Sequence, residues 1–292
     1  MSNAPGAIFG QKTDVGKVRT SNEDKHEVCL PDKCPDGIDG LLVVADGMGG
    51  HAAGEEASRI TVDTVVSHLM DSTKEVGEMG EEGLLRFMSE ALEKANLDVL
   101  DEAARSPEKH GMGTTCTTAL LRGANGYIAH IGDSRAYLLR GGVLSRLTKD
   151  HSFVEEEVER GALTLEEARV HPRRNVVTRA IGLGSDLNVD TYPVALRPGD
   201  RLMLCSDGLN SMIPNELIAK ILGEGDAQGS CDNLVEAAND AGGSDNVTVV
   251  VAELGQMASK PDSDLETMPE PQGLLKRIVS PIGAVLRRMV GQ

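Results

Sequence analysis

Residues 115–140 read TCTTALLRGANGYIAHIGDSRAYLLR. Three strand signals, over 115–121, 126–131 and 135–140, follow one another here with only short turns between them. Consecutive strands joined this tightly pair antiparallel, because a parallel pair needs a crossover of a dozen or more residues. Working outward, 41–45 (LLVVA) is a short apolar run that stops at Asp46-Gly47, and 201–205 and 247–253 give two more strand signals. Apolar residues at helical spacing predict long helices over 55–70 and 81–104, and shorter ones at about 216–222 and 232–241. The simplest assembly is an α+β fold, an α-β-β-α sandwich of two antiparallel sheets with helix pairs on the outer faces. Within it, 153–160 is an acidic helical pattern ended by Gly161, and Thr164 with Glu167 fits a capping box that opens a second short helix before Pro172. Such a hairpin between strands is expected to be a flap.

The 292 residues are 40% hydrophobic, 26% charged and 2% aromatic with no Trp, so an aliphatic core is expected in an ordinary globular chain. The net charge of −17 argues against nucleic-acid binding, which needs basic surface to replace counterions. No membrane span and no secretory signal are read, which predicts a cytoplasmic protein. The five cysteines have no framework spacing and are expected to be reduced thiols, with Cys116 and Cys205 buried. Composition divides the chain into a globular region 1–254, a Pro-containing linker 255–273 and a tail 274–292. The tail carries Lys276, Arg277, Arg287 and Arg288 without an acid, so it is +4 and the remainder is −21. Leu274, Ile278, Ile282, Val285 and Met289 fall roughly on one helical face of that tail. A basic amphipathic segment of this kind suits a partner or an anionic membrane surface.

Chemistry is expected at four aspartates placed alike. Asp46 and Asp207 each end a strand before glycine, Asp133 lies in Gly132-Asp133-Ser134 between strands, and Asp245 precedes the strand at 247. One Asp beside Gly is ordinary turn chemistry. Four at strand termini can converge, and they would repel unless a cation neutralised them. Without a His or Cys cluster the donors are all oxygen, which selects Mg²⁺ or Mn²⁺ rather than zinc. Two such ions can activate a water for in-line attack on a phosphoester. Arg19 could hold phosphate with its guanidinium fork, and Glu23, Asp24 and Asn246 could support the site from behind the ligands. The stretch Gly47-Met48-Gly49-Gly50-His51-Ala52 also fits a dinucleotide-binding turn. Asp46 would then face the pyrophosphate, and no carboxylate at a strand end lies about 20 residues on.

The segments RTSNED, VVADGMGGHAAGEEAS, GTTCTTALL, HIGDSRAYLLR, LTKDHSFV, HPRRNVVTRAIG, LMLCSDGL and SDNVTVVV run in order over about residues 10–254. In this the chain resembles the metal-dependent protein phosphatases, the type 2C serine/threonine phosphatases, in their bacterial form. The resemblance implies hydrolysis of phosphoserine and phosphothreonine in proteins without a phospho-enzyme. It implies that Asp46 bridges two metal ions, that Gly47 contributes its carbonyl, and that Asp207 and Asp245 complete the first metal. Asp133 matches the ligand of a third, weaker ion, Arg19 the phosphate-binding arginine, and 152–178 the flap. In eukaryotic relatives a histidine directly follows the Asp-Gly; here Met48 does, and His51 comes three residues later, so the proton donor is open between His51 and water. His151 matches a structural rather than a catalytic position. The implied partners are phosphoproteins, a serine/threonine kinase and its targets among them. No nucleophilic cysteine in a C-x5-R arrangement is expected, which argues against the cysteine-based phosphatases.

Overall fold

A computed structural model describes residues 6–72 and 75–255, without the side chains of residues 51 and 75. The linker from residue 256, the tail 274–292 and the His51 side chain lie outside the described residues. In chain order the elements are β1 (Ala7–Asp14), β2 (Asp24–Cys29), β3 (Gly40–Met48), α1 (His51–Asp71), α2 (Glu75–Glu78), α3 (Glu81–Arg105), β4 (Gly113–Thr114), β5 (Cys116–Arg122), β6 (Asn125–Ile131), β7 (Arg135–Arg140) and β8 (Val143–Arg146). They continue with α4 (Phe153–Glu159), α5 (Leu165–Val170), β9 (Asp190–Ala195), β10 (Arg201–Cys205), α6 (Asp207–Asn210), α7 (Asn215–Leu222), α8 (Ala227–Asp240) and β11 (Val247–Leu254).

Two antiparallel sheets result. One has the order β1-β11-β10-β7-β8, the other β2-β3-β5-β6-β9 with β4 added beside β3. The apolar runs are continuous rather than alternating because both faces of the central strands are covered. Leu41, Val43 and Ala45 of β3 turn toward α1 and α3, while Leu42 and Val44 meet the opposite sheet. On β11, Val247, Val249 and Val251 pack with α7 and α8, whereas Val250, Ala252 and Leu254 join the layer between the sheets. Three apolar layers thus alternate with two sheets, the expected α-β-β-α order. Each fully buried aliphatic side chain contributes roughly 1.5–3 kcal/mol.

The helices follow the predicted spans with extended starts. α1 begins four residues before the expected 55, directly after Gly50. α8 begins at Ala227 because the Asp226 side chain accepts from the Gly229 N–H at 2.7 Å, a cap that lets Gln228, Gly229 and Ser230 enter a helix. The Thr164–Glu167 capping box opens α5 as expected. All five cysteines are free, and four of them are buried.

Candidate metal and phosphate site

The sheet register puts the four aspartates at one end of the sandwich. Asp46 lies in the last residues of β3, and Asp133 lies in the turn that carries the chain from β6 in one sheet to β7 in the other. Asp207 follows β10 and Asp245 precedes β11, and Cys205 pairs with both Val249 and Arg135 at that same end. Glycine follows two of these aspartates for a steric reason. A Cβ on Gly47 would stand 2.1 Å from the Gly54 carbonyl oxygen and 2.7 Å from that of Glu23, and one on Gly208 would stand 1.9 Å from the Asn246 carbonyl oxygen. Only glycine lets these backbones close on one another.

The carboxyls then feel each other directly. Burial pushes Asp46 well above the ordinary carboxylate range, and the charges of Asp24, Asp207, Asp133 and Asp245 push it further. Burial, followed by the charge of Asp245, lifts Asp207 to about 6. Asp133 is raised by burial and then by Asp207 and Asp150. Asp46, Asp207 and Asp245 keep part of their surface open to solvent, so an ion can reach them.

Asp24, expected only behind the ligands, stands inside the cluster. It is the cross-strand neighbour of Asp46, an arrangement that like charges normally avoid. Its Oδ2 accepts from the Ser206 and Thr248 hydroxyls, each at 2.7 Å. Its Oδ1 is buried with no hydrogen-bond partner. Burial dominates the rise of this carboxyl to about 7, with Asp207 and Asp245 adding to it and the two hydroxyls opposing it.

The supporting contacts explain how these turns are held. Thr115 Oγ1 accepts from the Asp46 N–H at 3.0 Å and lies 2.6 Å from Ser134 Oγ, so one hydroxyl ties the Asp46 and Asp133 turns together. Asn246 pins the loop that carries Arg19. Its Oδ1 accepts from the Glu23 N–H at 2.8 Å, and its Nδ2 donates to Val15 O at 3.0 Å and to Ser21 O at 2.9 Å. Glu23 is buried and its carbonyl accepts from the Gly47 N–H and the Ser58 hydroxyl. Arg19, half-exposed, donates from Nη2 to Asp245 Oδ2 at 2.8 Å, so the guanidinium already stands at the rim of the cluster. Arg135 forks onto Asp150 with Nε at 2.8 Å from Oδ1. That pair backs the Asp133 turn and spares the cluster a further free charge.

The donor chemistry fits hard divalent cations. Among the described residues no three His, Cys, Asp or Glu side chains are yet drawn close enough together to hold an ion. The mutual repulsion and the orphaned Asp24 oxygen are nonetheless what a cation relieves, and the donors are all oxygen. Ser206, Thr248, Thr115 and Asn246 act across long sequence separations; their only local signal is adjacency to an aspartate or to its strand.

One expectation is corrected. A literal C-x5-R spacing does exist, from Cys116 to Arg122. These residues are the two ends of strand β5, however, not a phosphate-cradling loop. Burial pushes the Cys116 thiol up to about 12, which leaves it protonated and inert.

Comparison with known proteins places the chain among phosphatases. The sequence profile of protein phosphatase 2C matches residues 17–244. The chain is 36% identical over 255 residues to the serine/threonine phosphatase stp of Listeria innocua, covering 86% of this chain and 98% of that protein. The structure of the serine/threonine phosphatase Stp1 from Staphylococcus aureus superposes with a TM-score of 0.79 at 33% identity, over 87% of this chain and 97% of that one. The catalytic domain of the serine/threonine protein phosphatase PstP, solved in complex with two manganese ions, superposes with a TM-score of 0.73 at 36% identity, over 86% and 99%.

Proposed function

The chain belongs to the protein phosphatase 2C family, and from that premise we propose which of its residues perform the family's reaction. It is a metal-dependent protein serine/threonine phosphatase that uses Mn²⁺ or Mg²⁺ and forms no phospho-enzyme. Asp46, Gly47 through its carbonyl, Asp207 and Asp245 hold the two principal ions, and Asp133 holds a third, weaker one. The observation that carries this assignment is the convergence of the strand ends that bear Asp46, Asp133, Asp207 and Asp245 at one end of the sandwich, with Asp24 paired across from Asp46.

When bound, the cations supply an activated water and offset charge on the phosphoryl oxygens. The chain's own groups do the rest. Arg19, on the loop that Asn246 pins and bonded to Asp245, stands where its planar fork of donors would meet the phosphate. Asp24, gripped by Ser206 and Thr248 beside Asp46, adds a carboxyl that a bound cation would favour in its ionised form, and so strengthens the site's hold on cations. Glu23 fixes the Asp46-Gly47 turn through its carbonyl. His51, at the first turn of α1, is the candidate for proton delivery to the leaving oxygen, with water as the alternative.

For its biological setting, we assign the protein to cytoplasmic signalling, opposite a serine/threonine kinase and that kinase's targets. Its five free thiols support a reducing compartment, and among the described residues no helix is long and apolar enough to cross a membrane. The +4 tail is assigned to docking on a partner or on anionic lipid; sedimentation with liposomes, with and without residues after 273, separates the two.

Release of phosphate from a phosphothreonine peptide, measured with Mn²⁺, with Mg²⁺ and with EDTA, tests the whole assignment. Turnover with either metal that EDTA abolishes is expected. Equal turnover in EDTA would sink it.

A further inference from the structure

A part-buried hydrogen-bond chain outside the metal cluster joins the flap to the Asp133 turn. The two residues that bracket the flap 152–178 are His151 and Arg179, and both reach one carboxylate. His151 Nε2 lies 3.1 Å from Asp190 Oδ2, and Arg179 Nη1 donates to Asp190 Oδ1 at 3.0 Å. Tyr192 OH donates to the same Oδ2 at 3.0 Å. Asp190 is the first residue of β9 and pairs with His130 of β6, so the anchor belongs to the sheet and not to the flap.

On its other side His151 touches the turn that carries Asp133. The Gly132 N–H lies 3.0 Å from His151 Nδ1, and the His151 N–H donates to Gly132 O at 2.7 Å. A backbone N–H can only donate, so Nδ1 accepts and Nε2 bears the ring hydrogen, which it gives to Asp190. The two stems of the flap are zipped above this point: the Thr178 N–H donates to His151 O at 2.8 Å, and Ser152 bridges Val177. The His151 ring is fully buried.

We propose that Asp190 is a positioning residue that holds the Gly132-Asp133 turn through His151 and the far stem of the flap through Arg179, so that turn and flap are set by one anchor. The consequence for the reaction rests on the assignment of Asp133 as a metal ligand: the flap's placement and the occupancy of the weaker metal position become coupled. A carboxylate behind a histidine fixes tautomer and ring orientation in the same manner at many metal sites, although here the histidine grips backbone rather than metal.

Two variants test this. Asp190→Asn keeps an acceptor for His151 and loses the charge facing Arg179; Asp190→Ala loses both. In EDTA, amide exchange at Gly132 and Thr178 is expected to quicken at least tenfold in Asp190→Ala and less in Asp190→Asn, while Val249 and Val250 in β11 exchange as in the parent chain. Long-range ¹H–¹⁵N correlation should find His151 in its neutral Nε2–H form in the parent. With a phosphothreonine peptide, the Mn²⁺ concentration for half-maximal rate should rise at least threefold in Asp190→Ala, with partial rescue in Asp190→Asn.

Unchanged exchange at Gly132 and Thr178, an Nδ1–H tautomer, or equal loosening of β11 would each overturn the proposal. An Asp133→Asn chain with the parent's Mn²⁺ dependence would instead sink the ligand assignment, and with it the metal half of the proposal. Exchange at the two amides then upholds or overturns the clamp on its own.

Discussion

Replacing Asp24 by Asn should stabilise the protein in EDTA. The Asp24 carboxyl moves from 3.8 to about 7 in the fold, chiefly through burial. At about 1.4 kcal/mol for each tenfold change in proton affinity, its ionised form costs the fold up to ~4 kcal/mol. The sign follows from proton binding. Between pH 4 and pH 7 the folded chain retains a proton that the unfolded chain has released, so stability falls as pH rises through that window, and the full cost is present above pH 7. Asparagine keeps an acceptor for the Ser206 and Thr248 hydroxyls and removes the charge opposite Asp46. Urea unfolding in EDTA should therefore show Asp24→Asn more stable at pH 8 by about 2 kcal/mol or more, a rise in melting temperature of roughly 5 °C or more. The difference should vanish near pH 4. Saturating Mn²⁺ should narrow it by stabilising the parent more than the variant. An Asp24→Asn chain no more stable than the parent at pH 8, or an offset equal at pH 4 and pH 8, would refute the reasoning.

Three further outcomes are expected. Asp46→Asn should lower Mn²⁺-dependent phosphopeptide turnover by a factor on the order of 10³ or more, with an unchanged circular dichroism spectrum, because the side chain lies at the end of the sandwich, partly open to solvent, and belongs to none of the apolar layers. Arg19→Lys replaces a bidentate fork by a point charge and should lower kcat/KM by roughly 10–100-fold, with Mn²⁺ binding within a few-fold of the parent. Gly208→Ala drives a methyl to 1.9 Å from the Asn246 carbonyl oxygen; denaturant titration should show a loss of about 3 kcal/mol or more, and metal binding should weaken with it because Asn246 anchors the Arg19 loop beside Asp245.

The apolar pattern reveals the centre of this fold and hides its edges. β3, β5, β6, β7, β10 and β11 are legible because their faces are covered and their residues are Leu, Val, Ile and Ala. Five strands escape the pattern: the two-residue β4, and the outermost strands of the two sheets, β1 and β8 in one, β2 and β9 in the other. β2 reads DKHEVC and β9 reads DTYPVA. Charges and a proline are tolerated on such strands because one side lacks a partner. The same effect obscures Asp24. It opens an edge strand, reads as part of a charged loop, and enters the cluster only because β2 pairs with β3.

The aspartates at strand ends are legible because turn geometry and glycine mark them locally. The contacts that hold them are not. Thr115 with Ser134 and Asn246 with Val15 and Ser21 depend on register and on sheet-to-sheet packing, which no local pattern carries. The His151–Asp190 link is likewise set by the pairing of β6 with the edge strand β9.

Titration calorimetry of Mn²⁺ into EDTA-stripped, desalted protein tests the central claim most directly, with Asp46→Asn as the partner sample. At least two ions should bind each parent chain, and Asp46→Asn should lose both principal sites while remaining folded. Binding of the same number of ions at the same affinity by Asp46→Asn would contradict the carboxylate cluster as the metal centre.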